Sequence, residues 1–365
     1  MNKKLLSTFL AFVMVGSIAL AGCSGSQQNE SKSSETTTET KQTVASVSKQ
    51  RVYVTPEWLK SALDGDQSGY KDVLVAEVVY DEEGLADTYN KEHIAGAGYV
   101  FDVDVEDADG TEERPYNILP ANEVEANFLS RGIDKDTKLV LYGEDISGVA
   151  RVAYAALWAG VEDVKVLNGG LDAWKKAGFD VESSKADIKA KSSFGTTVPA
   201  HPEYYTSMAD AKAKLTSDSN FKLVSIRSQP EWLGETSGYS YIDRAGEPEG
   251  AVWGKGAQTA SDVADFTNSD GTVKELDEVW KNVWNDVDFT KDNHLAFYCG
   301  TGWRACVPFL LMYQEGYAKS VSLYDGGWYE WQMYGDNPVQ VGDPKSSTCQ
   351  HVTVADLPTD KASQD

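Results

Sequence analysis

The 365-residue sequence has few cysteines, histidines and basic residues, and each shortage excludes a class of site. There are four cysteines and four histidines, and none forms a CxxC pair or a His–Cys cluster with metal-ligand spacing. Lysine and arginine number 33 against 57 aspartates and glutamates, for a formal net charge of −24 at pH 7. Such an acidic chain is not expected to bind nucleic acid. We therefore expect no metal, no cofactor and no nucleic-acid partner.

An apolar run lies near the N-terminus. Lys3 and Lys4 precede the run Leu5 to Leu20, which passes into "LAGC" and ends at Cys23. This pattern resembles a bacterial lipoprotein signal, with residues 1–22 as the signal peptide and Cys23 as the lipid-modified first residue of the mature protein. A transmembrane anchor is the weaker alternative, because the run is short and ends in small residues. We expect an extracytoplasmic protein anchored to the bacterial cell membrane through lipid on Cys23.

The segment after Cys23 is polar as far as residue 50. It contains no aromatic residue, so it cannot bury enough apolar surface to order itself. We predict a flexible polar tether over residues 23–50. Three cysteines remain beyond it, Cys299, Cys306 and Cys349. Because that number is odd in an oxidising compartment, at least one thiol is free or paired outside the chain.

The rest of the chain contains two copies of one α/β unit. "VKVLNGGLDAWKKAGFDV" (Val164–Val181) parallels "VSLYDGGWYEWQMYGDNPV" (Val321–Val339), and their second glycines, Gly170 and Gly327, are 157 residues apart. "HIAGA" and "EPEGA" recur at a similar offset of 154. Short apolar runs alternate with helical patterns in both halves. The pattern predicts an α/β fold with two domains, each a mainly parallel sheet flanked by helices.

The order of these motifs resembles that of the tandem rhodaneses, the thiosulfate and 3-mercaptopyruvate sulfurtransferases. The resemblance extends from about Val52 to Val341 and is carried by "PEWLKSAL", "EHIAGAGYVFDVDVEDADG", "LNGGLDAWKKAG", "CGTGWRAC" and "DGGWYEW". It implies a non-catalytic rhodanese-like domain over residues 51–184 and a catalytic one over 202–343. An inter-domain linker over 185–201 and a C-terminal tail over 344–365 complete the predicted organisation.

The second domain places a cysteine where chemistry is expected. The apolar run Leu295–Tyr298 ends at Cys299, which is followed by Gly300, Thr301, Gly302, Trp303 and Arg304. Sites in an open parallel sheet form beyond the carboxyl ends of the strands, and a glycine-rich loop there can turn its N–H groups toward the sulfur. With the start of the next helix, these groups are expected to stabilise a thiolate or persulfide. The alternative is a small buried hydrophobic residue at a strand end.

Two arginines are candidates for binding an anionic sulfur donor. Arg304 ends the loop and can bind the incoming anion. Arg227 occupies the arginine of the family's Asp-x-Arg strand end, but Ser225 and Ile226 replace its usual neighbours, so we expect it to be less firmly held. A structural ion pair is the alternative role for Arg227. Leu233 stands where mercaptopyruvate-using relatives tend to carry an arginine, which favours thiosulfate, although the loop is less cationic than in thiosulfate-using relatives.

The remaining cysteines and the first domain supply no second nucleophile. We expect Cys306 to be structural, inside the first turn of a helix that begins near Arg304, and Cys349 to be a surface thiol. In "LVLYGEDISGVARVAY", alignment on the strand places Gly143 opposite the catalytic cysteine, whereas alignment on the arginine places Ile146 there. Neither residue is a nucleophile, so the first domain is expected to cover one side of the cleft.

The resemblance implies a sulfurtransferase. Sulfane sulfur from a small donor, with thiosulfate favoured, would pass through a persulfide on Cys299 to cyanide or a thiol acceptor. A cysteine-dependent phosphatase is disfavoured, because its loop is C-x5-R and this one is C-x4-R. The alternative of another class is a non-catalytic rhodanese-like module that binds sulfur or docks a partner at the cell envelope. The sequence gives no oligomeric state.

Overall fold

The computed structural model describes residues 44–107, 116–184 and 187–363. The predicted signal peptide, Cys23 and residues 24–43 of the predicted tether lie outside these residues. Residues 44–50 pack on the first domain: Val44 and Val47 contact its apolar core, and Gln67 Nε2 donates to the Val44 carbonyl at 3.1 Å. No helix in the described part of the chain has the length and apolar character needed to cross a membrane.

The first domain is built on a five-stranded parallel sheet with the strand order β1-β6-β5-β2-β4. Its strands are short, largely buried apolar runs, as expected for parallel strands covered on both faces. Strands β3 and β7 form a separate antiparallel pair. The elements are β1 (Tyr53–Val54), α1 (Pro56–Leu63), β2 (Val73–Val79), α2 (Asp81–Asp87), β3 (His93–Ile94), β4 (Gly98–Phe101), α3 (Ala121–Ser130), β5 (Lys138–Tyr142), α4 (Ile146–Ala159), β6 (Asp163–Leu167), α5 (Gly170–Lys176) and β7 (Val181–Glu182).

The second domain has a five-stranded parallel sheet with the order β8-β13-β12-β9-β11, and an antiparallel sheet β10-β14-β15. A π-helical turn over Tyr313–Tyr317 follows α9. The elements are β8 (Tyr205–Thr206), α6 (Met208–Ser217), β9 (Phe221–Ser225), α7 (Gln229–Trp232), β10 (Glu247–Pro248), β11 (Val252–Trp253), α8 (Leu276–Asn282), β12 (His294–Tyr298), α9 (Cys306–Met312), β13 (Val321–Tyr324), α10 (Gly327–Trp331), β14 (Pro338–Val341) and β15 (Gln350–Thr353).

The two parallel sheets have the same topology. Strands β1, β6, β5, β2 and β4 correspond in order to β8, β13, β12, β9 and β11, which confirms the predicted pair of α/β domains. The register agrees as well, because Tyr142 pairs with Glu77 in the first sheet and Tyr298 pairs with Ser225 in the second. Strands β5 and β12 therefore end at equivalent residues, which places Gly143 opposite Cys299.

Helices α4 and α9 join the two domains. Helix α4 is buried along nearly its whole length, as expected for a helix that is apolar on all sides. Asp145 caps its N-terminus, and Gly160 ends it with a φ of 117°. Tyr154 on α4 meets Phe309 on α9 edge-on, with ring centroids 4.9 Å apart. One continuous apolar core includes side chains of both domains, so the surfaces that face the loop after β12 belong to a single packed body.

The segments predicted as linker and tail carry structure of their own. Phe194 is buried in the shared core, and its carbonyl accepts from Lys135 N at 3.0 Å. Strand β15 pairs with β14, and Val354 and Leu357 after it are buried in the core of the second domain. Much of the segment that the sequence predicts as a tail thus completes the second domain.

Candidate active site

The loop from Cys299 to Ala305 connects β12 to α9, and glycines set its path. A Cβ atom on Gly300 would overlap the ring of Tyr239. Gly302 has a φ of +90°, and a Cβ atom there would lie 2.7 Å from the Asp325 carbonyl oxygen. Both positions therefore require glycine. Helix α9 begins at Cys306, two residues later than the sequence predicts, because residues 303–305 still form a turn.

A second glycine motif supports this loop from below. Gly327 has a φ of +56°, and a Cβ atom on it would lie 2.6 Å from the Cys299 oxygen and 2.5 Å from the Gly300 oxygen. The next two residues bind these carbonyls: Trp328 N donates to Cys299 O, and Tyr329 N donates to Gly300 O, each at 2.9 Å. The Gly-Gly motif that recurs in the sequence thus allows the start of α10 to hold the loop by its carbonyl groups.

The N–H groups of the same loop are not engaged. Among the described residues, the backbone N–H groups of residues 300–304 donate no hydrogen bond. Cys299 itself is 1% exposed and lies at the start of this row of donors. Unpaired N–H groups in a glycine-rich turn can stabilise negative charge on a neighbouring sulfur. That these N–H groups turn toward the Cys299 sulfur stays a prediction.

Cys299 lines a cleft of about 440 Å³ between the two domains. Its walls are acidic and aromatic. The first domain supplies Asp102, Glu106, Tyr116, Asp145 and Ser147, and the second supplies Tyr239, Tyr241, Ala260, Ser261, Cys299, Thr301, Trp303 and Arg304. Four of the predicted site residues line this cleft: Cys299, Thr301, Trp303 and Arg304. Gly300 and Gly302 shape the loop but are not part of the lining. Within the described residues, Arg304 is the one basic side chain in the lining.

Trp303 connects the loop to the first domain by a hydrogen bond and a ring contact. Its Nε1 donates to Glu106, and its ring stacks on that of Tyr80 with centroids 5.6 Å apart. Burial raises the pKa of Glu106 to about 8, although the charge of Arg151 and the Trp303 hydrogen bond lower it. Gly148 leaves space for these rings, since a Cβ atom there would lie 2.5 Å from Tyr80 Oη. Trp303 therefore contributes to the position of the loop as well as to the cleft wall.

Arg304 is half of a buried ion pair. Its side chain is 4% exposed, and its Nη1 and Nη2 atoms donate to the two oxygens of Glu231 at 3.1 and 2.9 Å. It also donates to the Thr259 carbonyl at 3.0 Å and to Tyr239 Oη at 2.8 Å. Burial alone would raise the pKa of Glu231, but Arg304 and Arg227 lower it to about 2. The positive charge predicted to receive a donor anion is thus already balanced by Glu231.

Arg227 does not line the cleft, and it is firmly held. Its Nε donates to Glu231 at 3.1 Å and its Nη1 to Glu247 at 3.0 Å. The expectation of a weakly held arginine is wrong, because Glu247, to which Ser225 also donates, takes the place of the acidic residue missing from the strand end. The alternative role, a structural ion pair, fits this geometry. Leu233 also lies outside the lining of the cleft, so it gives no support for a thiosulfate preference.

Glu231 and Glu247, which bind the two arginines, were not predicted as site residues from the sequence. Glu231 follows Arg227 by four residues, a spacing that brings side chains together on a helical turn. The sequence therefore contains a signal for the pair Arg227–Glu231. Arg304, the other partner of Glu231, is 73 residues away, and Glu247 is 20 residues from Arg227. Only the folded chain brings these groups together.

The Rhodanese-like domain family matches residues 55–177 and 207–334. The chain belongs to the rhodanese family. Thiosulfate sulfurtransferase YnjE of Escherichia coli (strain K12) is 39% identical over 301 residues, which cover 80% of this chain and 66% of YnjE, just under two thirds of that protein. A putative thiosulfate sulfurtransferase of Haloferax volcanii is 27% identical over 80% of this chain and 97% of its own length.

Solved structures agree with this assignment. Wild-type EanB aligns with a TM-score of 0.73 at 32% identity, covering 81% of this chain and 70% of EanB. YnjE aligns with a TM-score of 0.72 at 38% identity, covering 80% of this chain and 68% of that one. Together with the sequence relatives, these matches support an enzyme of the sulfurtransferase class.

The other cysteines of this rhodanese have no part in the cleft. Cys306 is buried in α9 and its Sγ donates to the Gly302 carbonyl at 3.3 Å; burial raises the pKa of its thiol. Cys349 is partly buried next to β15. All three described cysteines are free thiols. The described residues contain no group of acidic, histidine or cysteine side chains arranged to hold a metal ion.

The first rhodanese domain repeats the loop support without the nucleophile. Gly170 has a φ of +58°, and a Cβ atom on it would lie 2.9 Å from the Gly143 oxygen. Gly327 has the same position relative to the Cys299 oxygen in the second domain. The alignment on the strand is therefore correct and the alignment on Arg151 is wrong. Arg151 instead forms a buried ion pair with Asp325 across the domain boundary, and its Nε lies 3.3 Å from Glu106.

Proposed function

We propose that this rhodanese carries sulfane sulfur as a persulfide on Cys299. In the first half-reaction the Cys299 thiolate attacks the outer sulfur of thiosulfate. A new S–S bond forms on the cysteine, the S–S bond of thiosulfate breaks, and sulfite leaves with the bonding electron pair. In the second half-reaction cyanide or a thiolate takes the outer sulfur, and the Cys299 thiolate is regenerated.

The row of unpaired N–H groups in residues 300–304 supports this proposal most strongly. These donors are fixed before the reaction, because glycine conformations and the two carbonyl bonds to α10 hold the loop. Donors that are already in place stabilise charge without reorganising when the charge develops. A persulfide on Cys299 would carry its charge one bond further into the loop, where such donors are needed.

Thiosulfate as the donor is supported by the names of the relatives, whereas the charge of the cleft favours a neutral or cationic acceptor. Asp102 and Asp145 face the cleft, and the charge of Arg304 is balanced by Glu231. Glu106 adds little charge at neutral pH, because burial raises its pKa to about 8. Net negative charge of this kind disfavours anions and attracts cations. We therefore expect turnover with anionic substrates to increase with ionic strength, because salt screens the repulsion.

A second acceptor class follows from the aromatic side of the cleft. Tyr241 lies with its ring centroid 5.4 Å from that of Tyr239 and 5.5 Å from that of Tyr116. Aromatic faces next to carboxylates bind quaternary ammonium groups. Structures of EanB contain hercynine and ergothioneine, including ergothioneine covalently linked with a persulfide cysteine. Both molecules carry a trimethylammonium group on an imidazole amino acid, and hercynine lacks the sulfur, so we propose a betaine of the hercynine type as a candidate acceptor.

Steady-state turnover distinguishes the enzyme from the non-catalytic module. Purified protein is given thiosulfate with cyanide, with a thiol or with hercynine, and released sulfite is measured. An enzyme releases many equivalents, whereas a module that only binds sulfur or docks a partner releases one at most. The Cys299→Ser variant provides the inactive control, and Cys349→Ser, outside the cleft, is expected to keep full activity.

We also propose that the protein is held at the extracytoplasmic face of the bacterial membrane by lipid on Cys23. The support is the sequence "LAGC" after an apolar run, since Cys23 lies outside the described residues. Metabolic labelling with an alkyne fatty acid should label the wild-type protein and should not label Cys23→Ala. Labelling of both, or of neither, would contradict the proposal.

A further inference from the structure

A second cavity, of about 340 Å³, lies in the first domain at the carboxyl ends of β2, β5 and β6. Its lining includes Gly143 and Gly170, the counterparts of Cys299 and Gly327. The cavity therefore occupies, in the first domain, the position of the catalytic loop in the second. Its described lining contains no cysteine, so it cannot form a persulfide, and a binding role is compatible with this lining.

Glu77 gives this cavity its chemical character. It lies on β2, it is 2% exposed, and its side chain lines the cavity. Within the described part of the chain, Glu77 Oε2 has no hydrogen-bond partner. Burial raises the pKa of Glu77, although the hydroxyl groups of Thr88 and Tyr142 lower it. Because an unpaired oxygen of a buried carboxyl group is costly, the site favours a ligand that supplies a donor or a positive charge.

The second domain shows what is missing around Glu77. There the buried carboxylates Glu231 and Glu247 both pair with Arg227. Ser225, the counterpart of Glu77, adds a hydroxyl group and no charge. In the described part of the first domain, no lysine or arginine forms an ion pair with Glu77. Lys91 itself lines the cavity, but it pairs with Asp87 at 3.0 Å, and Lys175, outside the lining, pairs with Glu92.

We propose that this cavity binds a small organic cation, a primary alkylammonium whose N–H group donates to Glu77 Oε2. Glu144 and Asp172 also line the cavity and add to its negative potential. A primary ammonium fits better than a quaternary one, because the unpaired oxygen needs a hydrogen-bond donor. A metal ion fits less well, since the described residues contain no set of ligands arranged for one. The proposal does not depend on the sulfurtransferase activity.

The test is isothermal titration of the full chain with n-butylammonium chloride, with tetramethylammonium chloride as the matched quaternary cation and n-butanol as the neutral one. We expect n-butylammonium to bind at least about 10-fold more tightly than either comparison compound, as for loss of one charge-assisted hydrogen bond. Equal binding of the two cations would overturn the proposal. Absence of n-butylammonium binding at millimolar concentration would overturn it as well.

Variants then locate the site. Glu77→Gln should weaken binding about 10-fold or more, whereas Glu106→Gln, which removes a buried carboxylate from the catalytic cleft, should not change it. Circular dichroism checks that both variants fold. If Glu77→Gln does not fold, the exposed Asp172→Asn should still weaken binding, by about twofold, through the loss of one charge at the cavity. Unchanged affinity in a folded Glu77→Gln or in Asp172→Asn would place the cation elsewhere and overturn the proposal.

Discussion

The loops after β5 and β12 are held by the same kind of glycine contact, but they carry different residues. In each domain a glycine with positive φ lies below the loop, Gly170 under Gly143 and Gly327 under Cys299. In the second domain the loop then carries two further glycines and a nucleophile, whereas in the first it carries Gly143 followed by Glu144 and the helix cap Asp145. The two domains therefore share the backbone frame and differ in the few residues placed inside it, among them the cysteine that we propose as the nucleophile.

The buried charges differ in the same way. In the second domain the carboxylate of Glu231 is matched by Arg227 and Arg304, and its pKa is lowered to about 2. In the first domain Glu106 remains difficult to ionise despite Arg151, and its pKa is raised to about 8. The difference follows the number of arginines at each carboxylate. Glu231 pairs with two, whereas Glu106 and Glu247 pair with one each, and the pKa of Glu247 is raised to about 7.

The largest expected effect tests the two loops directly. Cys299→Ser should lower turnover by about 10³-fold or more, because no other described thiol faces the cleft. Introducing Gly143→Cys into that variant should restore no activity. A Cβ atom at residue 143 would lie 2.8 Å from the Val78 carbonyl oxygen, and the loop after it lacks the glycines of the second domain. Sulfite release measures both variants, and recovery by Gly143→Cys would show that the frame alone is sufficient.

The ion pairs give the next effect. Glu231→Gln should destabilise the protein by about 3–5 kcal/mol, because it leaves buried arginines without their counter-charge. Urea denaturation measures the change, and the exposed Glu235→Gln is the matched control. Arg304→Ala should cause a loss of similar size. A stability change below about 1 kcal/mol in both variants would mean that the pair is not structural, and would return Arg304 to the role of a free anion-binding group.

The paired glycines separate stability from activity. Gly327→Ala and Gly170→Ala each force a side chain into positive φ and against a loop carbonyl, so each should cost about 1–3 kcal/mol. Only Gly327→Ala should also lower kcat/KM, since only its loop carries Cys299. Thermal unfolding and sulfite release are measured on the same samples. Equal losses of activity in both variants would show that the first domain takes part in the chemistry.

The last effect is a difference in pH dependence. The pKa of Glu231 is lowered from 4.5 to about 2, so its stabilising contribution is present above pH 4.5 and is lost as the pH falls toward 2. The pKa of Glu106 is raised to about 8, so its contribution is present below pH 4.5 and is lost as the pH rises toward 8. Glu231→Gln should remove the loss of stability at acidic pH, and Glu106→Gln should remove the loss of stability as the pH rises toward 8. Unfolding free energies across pH check both signs, and parallel curves would contradict them.

The sequence was sufficient for the features that repeat. Apolar runs, glycine pairs and their common offset predict two parallel sheets and place Cys299 at the end of a central strand, because these depend on local spacing. The pairing of the buried charges could not be predicted from the sequence. Arg304 looks like a free cation until the fold brings Glu231 to it from 73 residues away. The pairing of β15 with β14 was missed for the same reason, since its polar sequence gives little strand signal.

The most direct test of the account is the location of the sulfur. The full chain is incubated with thiosulfate, alkylated and digested without reductant, and the peptides are mapped by mass spectrometry. We predict a gain of about 32 Da on the peptide that contains Cys299, as for one added sulfur atom, with Cys306 and Cys349 unchanged. A gain that persists in Cys299→Ser, or that maps to Cys349, would contradict the account.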